Sequence, residues 1–128
     1  MWRIPFAAYS VGDNSVALKT KVELDSGASV GWASPSIVRK LYTDVFGLEC
    51  QERPHGGYTF CGNIPKTVLG DVNKVVTFTF GSGSTTVDIV IEPRSLLQPA
   101  GHDVFMGNIA LKKSKYVNGE TVIELYLT

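Results

Sequence analysis

Asp25-Ser26-Gly27 is the segment of the chain best suited to carry out chemistry. The aspartate directly follows the apolar run Val22-Glu23-Leu24, and the glycine lets the chain turn sharply. A carboxylate held in such a turn is rigid and partly withdrawn from water, which suits general acid–base catalysis. Asp and Ser in turns also bond to nearby backbone amides. Taken alone, the tripeptide therefore favours an ordinary structural turn over an active site.

Strands must position this turn, because short runs rich in Val, Ile, Thr, Phe and Tyr alternate with Gly, Asn, Asp and Pro. Gly81-Ser82-Gly83-Ser84 separates two alternating runs and predicts a hairpin. Asn118-Gly119 predicts another between Lys115–Val117 and Glu120–Leu127. The predicted strands are Trp2–Val11, Ser15–Leu24, Gly57–Cys61, Lys74–Phe80, Thr85–Ile91 and Thr121–Leu127.

One helix is clearly predicted after Ser34, which suits the N-cap, with Pro35 at the first helical position and Gly47 at the end. Its apolar stripe consists of Ile37, Val38, Leu41, Tyr42, Val45 and Phe46. A short second helix is predicted at Ile109–Lys113 from good helix formers and cationic residues towards its end. The predicted fold class is a single mostly β domain over residues 1–128, with antiparallel sheets, one clear helix and one short helix.

The charge balance narrows the range of partners. The 12 acidic and 12 basic side chains cancel, and no long run of like charges occurs, so no nucleic-acid or anionic-membrane partner is expected. A neutral or peptide-like partner fits better. No apolar stretch approaches the roughly 20 residues that span a bilayer. Met1–Pro5 does not open a signal peptide, so a soluble chain is expected and its compartment stays open.

Cys50 and Cys61 are the only cysteines, and two thiols cannot complete a four-ligand metal site by themselves. The residues between them, Gln51–Gly57, read as a turn that would let the cysteines face each other across a hairpin. A local disulfide and two free thiols both remain open.

The order of segments along the chain resembles the C-terminal lobe of pepsin-like aspartic proteases, especially fungal members. Lobes of that family carry an Asp-Thr/Ser-Gly loop, a following helix that opens near proline, and a hydrophobic-hydrophobic-Gly segment beside the loop. Here Asp25-Ser26-Gly27 is followed by Val30–Ala33, the Ser34-Pro35 helix and, much later, Phe105-Met106-Gly107. Other segments that match the family pattern are Trp2–Val11 with Gly12, Tyr42–Gly47, Gly56–Cys61 and, as a closing helix, Gly107–Lys112.

The resemblance implies an acid-protease fold of the pepsin and retropepsin type, and endoproteolysis of a peptide or protein substrate without metal or cofactor. Asp25 would be the catalytic residue. The residues that would hold its loop or line and support the site are Ser26, Gly27, Ala28, Ser29, Phe105, Met106 and Gly107. Members of this family are mostly secreted or vacuolar.

Three departures from the family pattern stand out. Ala28 replaces the usual Thr or Ser, which removes a hydroxyl that bonds the catalytic carboxylate, although retroviral-type proteases commonly have Ala there. Asn108 replaces a frequent Asp. The segment before the final glycine is cut down to Gln98–Asp103, and a usual cysteine partner for Cys61 goes with it.

Catalysis in this family needs two neighbouring carboxylates that share a proton, whereas one chain supplies only Asp25. A second lobe or a second copy of the chain is therefore an expected partner. The main alternative is an inactive isolated or engineered lobe that acts as a scaffold or binds extended peptides at an exposed strand edge.

Two further interpretations, a serine hydrolase and a metal site, have less support from the sequence. Gly27-Ala28-Ser29-Val30-Gly31 fits the nucleophile-elbow pattern of serine hydrolases, but the chain lacks the alternating helices of a large parallel α/β sheet. His55 and His102 have no partner at metal-ligand spacing, so no metal site is expected.

Overall fold

A computed structural model describes residues 2–24, 31–112, 115–117 and 120–125. The helices are α1 (Pro35–Phe46) and the short α2 (Val68–Asp71), and Pro93–Leu96 forms a 3-10 turn. The strands are β1 (Trp2–Val11), β2 (Asn14–Leu24), β3 (Gly31–Ala33), β4 (Gln51–His55), β5 (Tyr58–Gly62), β6 (Ile64–Pro65), β7 (Val76–Ser82), β8 (Thr85–Ile91), β9 (Leu97–Gly101), β10 (Val104–Gly107), β11 (Ile109–Leu111), β12 (Lys115–Val117) and β13 (Glu120–Leu125). The predicted mostly β class is confirmed.

One large sheet dominates the described part of the chain. Its strand order is β11-β3-β13-β2-β1-β7-β8, and β12 pairs with β13. The hairpins β1–β2 and β7–β8 follow the predicted strands, and Ser82 faces Thr85 at the predicted Gly-Ser turn. A three-stranded sheet, β6-β10-β9, and the hairpin β4–β5 complete the strand pairing.

Most neighbouring strands are antiparallel, but two pairs are parallel. β13 runs parallel to β2, so that Leu125 faces Leu24, and β11 runs parallel to β3, so that Ile109 faces Gly31. Parallel neighbours cannot be joined by a tight hairpin. Chain segments distant in sequence are therefore brought together at β3 and β13.

Helix α1 forms where the sequence predicts it. Pro35 occupies its first turn, and Gly47 ends it with a φ of 72° and a bond from its N–H to the carbonyl of Thr43. Such a left-handed conformation suits glycine, which has no Cβ to clash. The Ser34 side chain makes no capping hydrogen bond. The buried face of α1 consists of Val38, Leu41, Tyr42, Val45 and Phe46.

The core lies between α1 and the large sheet. The rings of Phe6 and Phe80 have centroids 4.8 Å apart, and those of Phe6 and Phe78 lie 5.2 Å apart. Burial of aromatic rings removes large apolar areas from water, and their tilted packing adds about 0.5–1.5 kcal/mol per pair. β1 and β7 are therefore joined by side-chain packing as well as by backbone hydrogen bonds.

The short helix predicted at Ile109–Lys113 is wrong, because Ile109–Leu111 forms β11. The N–H groups of this region bond to distant acceptors: Ile109 to the Tyr42 hydroxyl and Lys112 to the carbonyl of Ala33. Ala110 is completely buried. Tertiary hydrogen bonds and packing outweigh the helix propensity of Ala, Leu and Lys here.

The interpretation of Gln51–Gly57 as a turn is also wrong for most of its length. Gln51–His55 forms β4, which pairs with β5, and only Gly56 and Gly57 make the turn, both with positive φ. β4 consists of exposed residues, Gln51–His55, and contains none of the β-branched and aromatic residues that usually form strands.

Cys50 and Cys61 are joined by a disulfide, one of the two alternatives that the sequence leaves open. Their Cα atoms lie 4.9 Å apart. The bond links the chain that leaves α1 to β5. By closing a short loop, a disulfide reduces the conformational freedom of the unfolded chain.

Tyr9 is a buried residue whose hydroxyl finds no hydrogen-bond partner among the described residues; its side chain is only 2% exposed. Burial, with a smaller contribution from the charge of Asp44, raises the pKa of Tyr9 to about 12. An unpaired buried hydroxyl reduces stability, because its hydration is lost without compensation.

Tyr9→Phe is expected to raise the free energy of unfolding by about 1 kcal/mol at neutral pH, because it removes the unpaired hydroxyl. Since the raised pKa favours the protonated phenol in the fold, the wild-type chain loses stability as pH rises from the unfolded value of about 10 towards 12. The advantage of Tyr9→Phe should therefore grow over that range. Denaturant unfolding at pH 8 and pH 11 measures this. Tyr58→Phe, at an exposed site, is the control, and equal effects of the two variants would contradict the prediction.

Candidate functional site

The predicted site residues divide into two groups. Asp25, Ser26, Gly27, Ala28 and Ser29 lie outside the described residues. Phe105, Met106 and Gly107 belong to β10.

Leu24 on β2 and Gly31 on β3 are the described residues that flank positions 25–30. In the large sheet, β13 lies between β2 and β3. The N–H of Gly31 donates to the carbonyl of Asn108 at 3.2 Å. Asn108, which directly follows Phe105-Met106-Gly107, therefore contacts Gly31, the first described residue after position 30.

Phe105 and Met106 have different surroundings. Phe105 faces Ile64 on β6 and Pro99 on β9 and is half-buried. Met106 is buried in a cluster with Phe60 and Ala110, against which Trp32 packs. β10 thereby links the three-stranded sheet to the β3–β11 edge of the large sheet.

Gly107 lies directly against the ring of Tyr42. A Cβ atom built on Gly107 would lie 2.6 Å from Tyr42 Cζ and 2.8 Å from its hydroxyl oxygen. Contacts below 3.0 Å between such atoms are too short to be tolerated without movement. Since Tyr42 is buried in α1, the ring cannot simply swing into solvent. The absence of a side chain at position 107 is therefore a requirement of this packing.

The Tyr42 hydroxyl connects three elements. It donates to the carbonyl of Leu96 at 2.5 Å, and it accepts from the N–H groups of Asn108 at 3.0 Å and Ile109 at 3.3 Å. Burial raises the pKa of Tyr42, and the two backbone N–H groups offset this only in part. A neutral hydroxyl is needed here, because only the protonated form can donate to Leu96.

The Asn108 side chain extends this network. Its Nδ2 donates to the carbonyl of Ser95 at 2.6 Å. An ionised aspartate at this position would be unable to make the same bond. Gln98 donates from Nε2 to the carbonyl of Gly107 at 2.9 Å. Side-chain hydrogen bonds of Gln98 and Asn108 thus hold the end of β10 and the residue that follows it.

The sequence indicates no hydrogen-bonding role for Tyr42, which lies on the apolar stripe of α1 and in the family-like segment Tyr42–Gly47, or for Gln98. The available signal for Tyr42 was a hydroxyl on an otherwise apolar helix face, because a buried hydroxyl normally has a partner. Its partners lie more than 50 positions away, so the sequence could not identify them.

The described residues contain no cluster of three or more His, Cys, Asp or Glu side chains that could hold a metal ion. Nor does any described helix have the length and apolar character needed to cross a membrane. No protein-family model matches the chain, and no curated protein matches it.

Gly107→Ala is expected to lower the free energy of unfolding by about 1–3 kcal/mol, because the added methyl group overpacks the Tyr42 contact. Denaturant unfolding at neutral pH measures the change. Gly70→Ala is the matched control, since nothing lies within 4 Å of a Cβ at Gly70. If both variants are equally stable, the close packing of Tyr42 on Gly107 does not constrain the fold.

Proposed function

We propose that the chain is one lobe of an aspartic endopeptidase. Asp25 supplies one of the two carboxylates, and a second lobe or a second copy of the chain supplies the other. The observation that carries this proposal is the contact between Gly31 and Asn108. Gly31 follows Asp25-Ser26-Gly27 closely in the sequence, and Asn108 directly follows Phe105–Gly107. The resemblance to pepsin-like lobes implies that these two segments lie side by side.

The strand pairing adds support. Leu24 and Gly31 belong to neighbours of the same strand, β13, so the segment between them starts and ends in a hydrogen-bonded framework. Precise placement of a catalytic carboxylate depends on such fixed support. Hydrogen bonds of Tyr42 and Gln98 hold the backbone at Asn108 and Gly107. The Asn108 side chain bonds in turn to the carbonyl of Ser95.

The proposed chemistry follows from two carboxylates in close contact. They cannot both ionise, so the pair shares one proton over the acidic range. The ionised carboxylate takes a proton from a water molecule, which attacks the peptide carbonyl carbon, while the protonated carboxyl polarises the carbonyl oxygen. Asp25 alone cannot fill both roles in one step, so assembly with a second carboxylate is part of the proposed mechanism.

Asp25→Asn is expected to reduce cleavage of a denatured protein substrate at acidic pH by at least about a hundredfold, because the amide cannot act as the general base. If two copies form the site, cleavage by the wild-type chain rises more steeply than in proportion to its concentration. Sedimentation over the same concentrations should show the dimer.

Two control variants sharpen the test. Asp13→Asn makes the same chemical change in the exposed turn between β1 and β2 and should leave cleavage unchanged. Ser29→Ala separates the proposal from a serine nucleophile and should retain most of the activity. Cleavage that survives Asp25→Asn, or that is lost in Ser29→Ala alone, would refute the role of Asp25.

A second candidate function, binding of extended peptides, is favoured by strand β8. This strand ends the order of the large sheet, and Thr85–Val90 are all exposed. Val87 is 60% exposed and Val90 68%. β8 contains no Lys, Arg or Pro, which commonly protect sheet edges, and its one charged residue, Asp88, accepts a hydrogen bond from Thr79. No described strand pairs with the outer edge of β8, so its outer backbone groups can pair with an added strand.

Val87→Lys is expected to weaken binding of an extended Val-Thr heptapeptide about two- to fivefold, because one cross-strand pair contributes about 0.2–1 kcal/mol. Titration followed by amide chemical shifts measures the affinity. Val75→Lys is the matched control, since Val75 is also 60% exposed but lies before β7. Asp25→Asn should leave this binding intact. Equal effects of the two lysine variants would count against strand addition at β8.

A further inference from the structure

A groove of about 540 Å³ lies beside the β9–β10 hairpin. Its apolar lining includes Leu97, Pro99, Val104 and Phe105, and two cationic side chains, Lys66 and Arg94, share it. An apolar surface combined with a few charged groups is the usual composition of a small-ligand site. Whether Lys66 and Arg94 are already ion-paired therefore decides how strongly the groove can attract an anion.

Lys66 and Arg94 have no ion-pair partner among the described residues. The acidic side chain that also lines the groove, Asp103, instead lies 3.1 Å from His102 Nε2. Both members of that contact are mostly exposed. His102 offsets the charge of Asp103 only when it is protonated. The groove thus combines two cations that form no ion pair within the described residues with one carboxylate.

A second groove of similar size, about 570 Å³, provides a comparison within the same molecule. Its two cations are both paired: Arg39 with Glu52 at 2.9 Å and Lys40 with Asp44 at 3.1 Å. The two grooves therefore differ in that both cations of the second groove are ion-paired, whereas Lys66 and Arg94 are not paired with any residue that the structure describes.

The backbone that carries Lys66 and Arg94 is fixed by hydrogen bonds. The N–H of Lys66 donates to the carbonyl of Asp103 at 3.0 Å. Arg94 lies in the 3-10 turn, whose carbonyls at Ser95 and Leu96 accept bonds from Asn108 Nδ2 and the Tyr42 hydroxyl. A ligand would not have to order this backbone on binding, which lowers the entropic cost.

We propose that this groove binds a carboxylate attached to an apolar group, as at the end of a peptide whose last residue is apolar. The planar guanidinium of Arg94 can donate two parallel hydrogen bonds to the carboxylate, and Lys66 adds a point charge. The apolar group packs on Pro99, Val104 and Phe105. The site is independent of Asp25, so its test does not depend on the proposed proteolysis.

The test uses N-acetyl-phenylalanine as the probe and follows the amide chemical shifts of the full chain. Binding should shift the signals of Lys66, Val104 and Phe105. Arg94→Gln should weaken it about tenfold, because the amide removes the charge and the paired donation of the guanidinium. Arg39→Gln removes the same charge from the second groove and should leave the affinity unchanged.

Three related compounds define what the groove recognises. The amide of the probe lacks the charge, whereas acetate and inorganic phosphate lack the apolar group; all three should bind at least about tenfold more weakly. Equal binding of the amide would refute a role for the carboxylate, and equal binding of phosphate would refute a role for the apolar lining. Equal losses in Arg94→Gln and Arg39→Gln would refute the location, as would shifts confined to the second groove.

Discussion

The contact between the Tyr42 ring and the backbone at Gly107 is the constraint on which the rest of the described site depends. It sets how closely α1 can approach the junction of β10 and β11, because a Cβ at position 107 would overlap the ring. The ring position in turn lets its hydroxyl reach the carbonyl of Leu96 and the N–H of Asn108. A steric requirement and a hydrogen-bond network therefore depend on the same buried residue.

The contacts of Tyr42 also explain how the consecutive strands β10 and β11 can belong to two different sheets. β10 pairs with β9 and β6, whereas β11 pairs with β3. The chain must change partners at Asn108, where regular strand pairing no longer satisfies every backbone group. The Tyr42 hydroxyl, Leu96 and Gly31 supply those missing partners. Buried backbone groups left unpaired would reduce stability substantially.

Local sequence signals predicted those elements that local interactions determine. Helix α1 follows from its apolar stripe, Pro35 and Gly47, and the β7–β8 hairpin from its alternating strands and Gly-Ser turn. The sequence predicts a helix at Ile109–Lys113, whereas Ile109–Leu111 forms β11, because its conformation depends on Gly31 and Tyr42, which are distant in sequence. The contact between Gly31 and Asn108 likewise depends on the pairing of β3 with β11, which local sequence does not reveal.

Leu24, Gly31 and Asn108 make their contacts through backbone groups, so these contacts do not require a catalytic side chain. One carboxylate cannot be proton acceptor and proton donor in the same step. If the proposed function is right, stability of the single chain and activity of an assembled pair are therefore different physical quantities. The first would depend on contacts within the chain, whereas the second would depend also on the concentration and geometry of a partner.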